Sequence, residues 1–147
     1  MVIALQKAGL NTYIVEDNRT IRENLVGTLE ELATVNVLGF AEGEDEARRW
    51  LVEHANQWNL VIVDLFLKQG SGLGVLQACL MREPHQKAIV LRNYATPDIR
   101  KRCLQLGADA VFDKSNEIED LVSFCLTQVQ SMRAVQGLPS SESSPPA

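Results

Sequence analysis

Five charged side chains stand at the ends of short apolar segments, in positions where they could act together on a ligand. They are Glu16, Asp17, Asp64, Arg92 and Lys114. Each has a common structural explanation when it is taken alone: an aspartate can cap a helix or start a turn, and a lysine or arginine can point into solvent. The joint placement is harder to explain in this way, because Asp64 interrupts the most apolar run of the chain, "LVIVDLFL" (60–67).

Three carboxylates held close together favour a divalent cation. Like charges repel and raise one another's pKa unless a cation lies among them. Mg²⁺ suits such a site, because it binds one or two carboxylates, keeps several waters and is completed by phosphate oxygens. A nearby lysine complements a phosphate rather than the metal. The five residues therefore predict phosphoryl transfer onto or off a carboxylate, with Asp64 as the nucleophile.

The elements that must position these residues alternate along the chain. Apolar runs predict strands at 12–16, 35–40, 60–67, 87–92 and 109–112. Amphipathic stretches predict helices at 19–32, 44–55, 96–107 and 117–132, and residues 70–82 predict a Gly/Ser loop followed by the third helix. Strict alternation predicts an α/β fold, in which helices cover both faces of a parallel sheet. The carboxyl ends of parallel strands share one edge, where such sheets bind ligands. All five charged residues fall at that edge.

Cap signals mark the start of two helices. Thr20 and Glu23 resemble a capping box at the first helix, and the residues predicted to face the core follow at helical spacing: Ile21, Leu25, Leu29 and Leu32. The fourth helix has Thr96 at a predicted N-cap, Pro97 at the first helical position and Gly107 as its terminator. These signals place each helix directly after an apolar strand.

Length, charge and cysteine content limit the class of protein. The 147 residues are enough for one domain with a real core, and a net charge of −5 argues against binding to nucleic acid or to an acidic membrane surface. No apolar run approaches the roughly 18 residues that span a bilayer. Three widely spaced cysteines predict reduced thiols in a cytoplasmic protein, and two isolated histidines are too few for a zinc site.

Three segments resemble the receiver domain of two-component response regulators. They are "VEDN" (15–18), "VIVDLFLKQGSGLGVL" (61–76) and "GADAVFDKS" (107–115). The resemblance covers about residues 11–134, with an N-terminal extension at 1–10 and a Pro/Ser-rich tail at 135–147 that is expected to be disordered. It implies a flavodoxin-like (βα)5 fold, a doubly wound parallel sheet with strand order 2-1-3-4-5.

The resemblance also implies a role for the residues at the sheet edge. Asp64 would be the phosphoacceptor, and Lys114 would contact the phosphoryl group. Mg²⁺ would be bound by Asp64, by Asp17 directly, by Glu16 directly or through water, and by the backbone carbonyl of Phe66. The phosphodonor would be a phosphohistidine on a histidine kinase or phosphotransfer protein. The domain would catalyse only its own phosphorylation and dephosphorylation, so it is not expected to be an enzyme for other substrates.

Two positions depart from the family pattern at the proposed switch. Arg92 stands where the family usually has Ser or Thr, whose hydroxyl binds the phosphoryl group, and Val111 stands where it favours Tyr or Phe. Arg92 would then either bind the phosphoryl group itself, since guanidinium binds phosphate well, or point outward and leave phosphorylation weakly coupled to the fourth helix.

The loops beside the switch differ from the family as well. Asn93 and Tyr94 are larger than many residues found after strand four, so they would narrow access to the acceptor. Ser115 replaces the usual proline after Lys114, where a cis peptide bond is costly without proline.

These residues leave three functions open. In the first, a stand-alone receiver accepts phosphate on Asp64 and signals through an unknown downstream protein, without contacting nucleic acid or membrane. In the second, an atypical receiver is a phosphorylation-independent docking or dimerisation module, which the changes at Arg92 and Val111 favour. In the third, a metal-dependent phosphatase acts on small molecules; Phe66 disfavours it, because one large aspartyl-phosphate phosphatase family has an aspartate there. The fourth and fifth helices also leave a homodimer open.

Overall fold

Five parallel strands and five helices alternate along the chain. The computed structural model describes residues 9–135, and residues 1–8 and 136–147, which hold most of the predicted extension and tail, lie outside the described residues. The strands are β1 (Leu10–Val15), β2 (Val35–Ala41), β3 (Leu60–Asp64), β4 (Lys87–Arg92) and β5 (Ala110–Asp113). The helices are α1 (Arg19–Leu32), α2 (Glu44–Glu53), α3 (Gly72–Ala78), α4 (Pro97–Gln105) and α5 (Ile118–Val135).

The sheet has the order β2-β1-β3-β4-β5, and every neighbouring pair is parallel. This confirms the predicted flavodoxin-like (βα)5 fold. One core cluster joins the sheet to α2, α3 and α4, and a second joins its other face to α1 and α5. The central strand β3 serves both clusters: Val61 and Val63 belong to the first, and Leu60 and Ile62 to the second. Burial on both faces explains why this strand is an unbroken apolar run.

Strand β3 ends at Asp64, as predicted for a residue at the sheet edge, although the apolar run continues to residue 67. The backbone turns there, because Phe66 forms an antiparallel bridge with Ser71 and the Gly72 N–H donates to the Leu65 carbonyl at 2.9 Å. A Cβ atom at Gly72 would overlap the Asp64 carbonyl oxygen and lie 2.8 Å from Leu65 Cα. The start of α3 therefore packs directly against the end of β3, at a distance that only glycine permits. Helix α3 begins at Gly72, after the predicted Gly/Ser loop, and ends at Ala78, before the end of the predicted segment at residue 82.

The capping box predicted at the first helix is wrong. Asn18 is the N-cap of α1, and its side chain accepts a hydrogen bond from the Ile21 N–H at 2.9 Å. Glu23 pairs instead with Arg19, one helical turn earlier, at 2.9 Å. The cap at the fourth helix is confirmed: the Thr96 hydroxyl accepts from the Ile99 N–H at 3.2 Å, directly before Pro97 opens α4.

The predicted inner face of α1 is correct in the middle and wrong at both ends. Leu25 and Leu29 are buried, whereas Ile21 and Leu32 are exposed. Arg22 is buried instead, since it donates to the backbone carbonyl of Glu16 at 2.8 Å. Hydrophobic spacing does not reveal a carbonyl that needs a donor, so this exchange was not predictable from the pattern. No helix within residues 9–135 is both long enough and apolar enough to cross a bilayer.

Candidate functional site

The carboxyl ends of β1, β3 and β5 bring four of the predicted site residues together. Oxygen atoms of Glu16, Asp17 and Asp64 all lie within 4.8 Å of one another. The Lys114 ammonium reaches into this group, with Nζ 2.7 Å from Glu16 Oε1 and 3.1 Å from Asp64 Oδ2. Within the described part of the chain, no other trio of histidine, cysteine or acidic side chains comes together in this way.

Burial and charge act against each other at the centre of this group. Asp64 is 9% exposed and Glu16 is 2% exposed. Burial raises the pKa of the Asp64 carboxyl, attraction to Lys114 lowers it and repulsion from Glu16 raises it again; the net effect is a raised pKa. Burial alone would lower the pKa of Lys114, but its hydrogen bond to Glu16 and its attraction to Asp64 raise that pKa overall. Lys114 is therefore a charged internal counterion to two buried carboxylates.

Backbone amides hold each carboxylate in place. Glu16 accepts from the Asn18 N–H at 3.0 Å, and Asp17 accepts from the Lys68 N–H at 2.7 Å. Asp64 accepts from the Phe66 N–H at 3.4 Å. Since Lys68 and Phe66 lie in the loop after β3, that loop is tied to both β1 and β3. Backbone donors of this kind fix the positions of the oxygens without adding a competing charge.

The donor set fits a hard divalent cation. All the ligand atoms that the three side chains offer are oxygens, which Mg²⁺ prefers over nitrogen or sulfur. Three carboxylates and one ammonium leave two negative charges, which one divalent ion balances. The backbone of Phe66 lies beside Asp64, because its N–H donates to that carboxylate. The predicted ligand role of the Phe66 carbonyl stays a prediction.

Arg92 lies beside the carboxylate group without joining it. Its guanidinium carbon is 4.0 Å from the centre of the Phe66 ring, above the ring face. Its Nε atom is buried and has no hydrogen-bond partner. Its backbone carbonyl accepts from the Lys114 N–H at 3.2 Å, so the residue is anchored next to the site. Of the five predicted charged residues, Arg92 is the one whose side chain contacts an aromatic ring rather than a carboxylate.

The loop after β4 exposes two side chains, Asn93 and Tyr94. Tyr94 is 80% exposed and has a φ of 56°, in the left-handed region that is uncommon for non-glycine residues. The Asn93 side chain is exposed, with Oδ1 3.5 Å from the Ser115 hydroxyl. The peptide bonds of residues 9–135, including the one before Ser115, are trans. The expected narrowing of access by Asn93 and Tyr94 stays a prediction.

A second polar network, which the sequence analysis missed, borders the site. Arg100 on α4 donates to the Ala95 carbonyl at 3.1 Å, the Val111 carbonyl at 3.0 Å and Glu117 Oε1 at 2.7 Å. Glu117 also accepts from the Asp113 N–H at 2.8 Å. Asp113 in turn accepts from the Ala95 N–H at 3.1 Å. We call Arg100, Glu117 and Asp113 the Arg100 junction. The position of Asp113 directly before Lys114 was the one sequence signal for it.

A family model and several curated proteins match this chain. The family model of the response regulator receiver domain matches residues 12–125. The uncharacterized transcriptional regulatory protein YvfU of Bacillus subtilis strain 168 is 27% identical over 112 residues, which are 76% of this chain and 55% of YvfU. The response regulator UvrY of Escherichia coli O157:H7 is 23% identical over 114 residues, 78% of this chain and 51% of UvrY.

Solved structures show the same fold. The signal receiver domain of the putative response regulator NarL from Mycobacterium tuberculosis superposes with a TM-score of 0.71 at 21% identity, over 83% of this chain and 97% of that one. The chain spans about half the length of YvfU and UvrY. The match of the family model over most of its length shows that this chain belongs to the response regulator receiver domain family.

Proposed function

We propose that the domain accepts a phosphoryl group on Asp64, in a Mg²⁺-dependent reaction, from a phosphohistidine of a histidine kinase or phosphotransfer protein. The observation that carries this proposal is the group of three carboxylates within 4.8 Å, bridged by Lys114. A structural ion pair does not explain two buried acids on one lysine with a third carboxylate beside them, because the uncompensated charge is costly. A site that receives a metal and a phosphoryl group accounts for that arrangement.

In the proposed reaction, an Asp64 carboxylate oxygen attacks the phosphorus of the donor. The new O–P bond forms as the P–N bond to the donor imidazole breaks, and that nitrogen leaves with the electron pair. Glu16, Asp17, Asp64 and the Phe66 carbonyl would hold Mg²⁺, which supplies positive charge to the phosphoryl oxygens when it is bound. Lys114 already donates to Asp64 at 3.1 Å, and in the product it donates to the phosphoryl group. Later attack by water on phosphorus restores the carboxylate.

Signalling in this proposal proceeds by contact with a downstream protein. The net charge of −5 disfavours direct contact of this domain with nucleic acid or an anionic membrane. The three cysteines are free and buried, which suits a reducing cytoplasm. The stand-alone action and the homodimer considered above stay predictions, since YvfU and UvrY are about twice as long as the matched region.

The test is the intact mass of the protein after incubation with Mg²⁺ and acetyl phosphate. We expect wild type to gain one phosphoryl group and Asp64→Asn to gain none. Asp98→Asn, which changes an exposed aspartate on α4, is the matched control and should gain the group as wild type does. Because some receivers accept phosphate only from a kinase, a negative result is followed by titration with Mg²⁺ and beryllofluoride, a phosphoryl mimic. Failure of wild type in both assays would overturn the proposal.

The second candidate is a docking module that works without phosphorylation. The observation that favours it is the Arg100 junction, which ties the loop after β4 to β5 and to the start of α5 in the unphosphorylated domain. In that case Asp64→Ala would bind the downstream partner as tightly as wild type does. A loss of partner binding in Asp64→Ala, with a normal unfolding transition, would exclude this second function.

A further inference from the structure

The guanidinium of Arg92 is half-buried, and the one of its nitrogen atoms that is buried has no hydrogen-bond partner. Its contact is with the face of the Phe66 ring, at 4.0 Å, and its buried Nε has no acceptor. It forms no ion pair within 4.0 Å with a carboxylate among residues 9–135. A buried N–H donor without an acceptor is costly. Arg92 is therefore held in a position from which an anion with good acceptor oxygens would draw it away.

Both partners of this contact are attached to the acceptor site through their backbones. Arg92 follows Leu91, which pairs with Asp64 in the sheet, and its carbonyl accepts from the Lys114 N–H. Phe66 directs its N–H at Asp64 Oδ1. The arginine and the ring thus lie on neighbouring strand ends, beside the carboxylate that would carry the phosphoryl group.

A phosphoryl group on Asp64 would need a second cation besides the metal. Lys114 is already shared between Glu16 and Asp64, so it does not fully balance the added charge. A guanidinium has five donors in a planar fork that matches phosphate oxygens. Hydrogen bonds between a guanidinium and phosphate are stronger than contact with an aromatic face at a partly exposed site. Phosphorylation therefore favours release of the guanidinium from the ring.

We propose that Arg92 is a phosphate-binding residue and that the face of Phe66 is its resting place. Phosphorylation of Asp64 exchanges the contact with the ring for hydrogen bonds to the phosphoryl oxygens, and this exchange uncovers Phe66, which is already 59% exposed. The inference rests on the proposed phosphoacceptor function. It gives this chain a switch made of Arg92 and Phe66 in the place of the usual hydroxyl and aromatic pair.

The experiment is a titration of beryllofluoride in the presence of Mg²⁺, followed by ¹⁹F NMR. We expect Arg92→Gln to weaken binding on the order of tenfold or more, as loss of charge-assisted hydrogen bonds does. Arg92→Lys keeps the charge without the fork and should fall between Arg92→Gln and wild type. Phe66→Leu removes the resting place and should tighten binding by about two- to fivefold, which corresponds to one cation–π contact. Arg49→Gln, an exposed arginine on α2, is the control and should match wild type.

A second readout separates a switch from a purely structural role. The ring signals of ¹³C-labelled phenylalanine, with Phe66 assigned through Phe66→Leu, should shift on addition of beryllofluoride in wild type. In Arg92→Gln the Phe66 signals should already differ before the addition and change little after it. Unchanged Phe66 signals in wild type that binds beryllofluoride would overturn the inference.

Failure of the two proposals gives different results. If wild type does not bind beryllofluoride, the phosphoacceptor function is wrong and the Arg92 inference falls with it. If wild type, Arg92→Gln and Arg92→Lys bind equally well, the phosphoacceptor function stands and the Arg92 inference is wrong. If Arg92→Gln does not fold, the other two variants decide. The Arg92 inference is overturned if Arg92→Lys binds beryllofluoride as tightly as wild type and Phe66→Leu binds it no more tightly than wild type.

Discussion

Replacement of Asp64 by asparagine should make the metal-free domain more stable, although it removes the proposed phosphoacceptor. Asp64 is buried beside Glu16 and Asp17, and burial, partly offset by Lys114 and reinforced by Glu16, raises its pKa. An asparagine of nearly the same shape can still accept from the Phe66 N–H. The substitution therefore removes a buried charge that destabilises the folded state, and it keeps most of the packing.

The size of the effect follows from burial and from the neighbouring charges. Burial is the largest cause of the raised pKa of Asp64, and the attraction to Lys114, whose Nζ lies 3.1 Å from Asp64 Oδ2, is larger than the repulsion from Glu16. Replacement of buried charged groups by neutral groups of similar volume can stabilise a protein by about 1–4 kcal/mol. With a central value of about 2 kcal/mol, Asp64→Asn should raise Tm by about 6 °C in a domain of this size.

The pH dependence of this difference has a definite sign. The folded-state pKa of Asp64 lies above the ordinary value of 3.8, so the folded state binds the proton more tightly than the unfolded chain does. Ionisation of Asp64 therefore destabilises the fold, and this penalty develops as the pH rises from the ordinary pKa through the raised one. The advantage of Asp64→Asn should be complete above the raised pKa and should disappear as the pH falls below the ordinary value of 3.8.

Magnesium should reverse the order of stability. A metal that binds only the folded state at a hundred times its Kd adds about 2.7 kcal/mol, and Asp64→Asn lacks one ligand for that gain. The assay is thermal unfolding of both proteins with EDTA and with saturating Mg²⁺, with Asp98→Asn as the control. If metal-free Asp64→Asn has a free energy of unfolding lower than that of wild type by about 1 kcal/mol or more, the electrostatic reasoning is refuted.

Three further predictions concern the frame around the site. Gly72→Ala should destabilise the domain by about 2–3 kcal/mol, because the new Cβ meets backbone atoms of Asp64 and Leu65. Gly27→Ala, on the exposed side of α1, should instead stabilise it by about 0.5–1 kcal/mol. Urea unfolding measures both changes, and equal effects would contradict the argument. Arg100→Met should lower the free energy of unfolding by about 2 kcal/mol, because three hydrogen bonds are lost, and should speed amide hydrogen exchange at Ala95. Unchanged exchange at Ala95 would show that the Arg100 junction does not hold this loop in place. Burial raises the pKa of Cys79 to about 11 and that of Cys125 to about 12. An aromatic disulfide reagent at mildly alkaline pH should therefore label these two buried thiols only after urea unfolding. Rapid labelling of the folded protein would show that they are accessible.

The part of the site that could be predicted from the sequence is the part that strand ends determine. Glu16, Asp17, Asp64 and Lys114 meet because each follows a parallel strand, and the carboxyl ends of parallel strands lie on one edge. Apolar runs and cap residues were enough to place the five strands and the start of α4.

The remaining features depend on contacts between distant parts of the chain. The position of the Arg92 side chain depends on Phe66, which lies in the loop after β3. Spacing along the sequence therefore does not show whether the guanidinium contacts an aromatic ring or a phosphate. The position of the Arg100 side chain depends on the backbone carbonyl groups of Ala95 and Val111. Acceptors of this kind cannot be recognised from the residue types in a sequence. Apolar residues continue past Asp64 to residue 67 after the chain has left the sheet, so the charged residue, and not the hydrophobic run, marks the end of β3.

The Arg100 junction determines which parts of the domain can move independently. One guanidinium contacts the loop after β4, the backbone of β5 and Glu117, the residue before α5, at the same time, and Asp113 holds the loop from the other side. These hydrogen bonds couple a shift of α4 to β5 and to the start of α5. Under the proposed function, a displacement that begins at Asp64 would reach this surface as a tilt of the coupled elements, and a protein that binds there would sense their orientation rather than their internal shape.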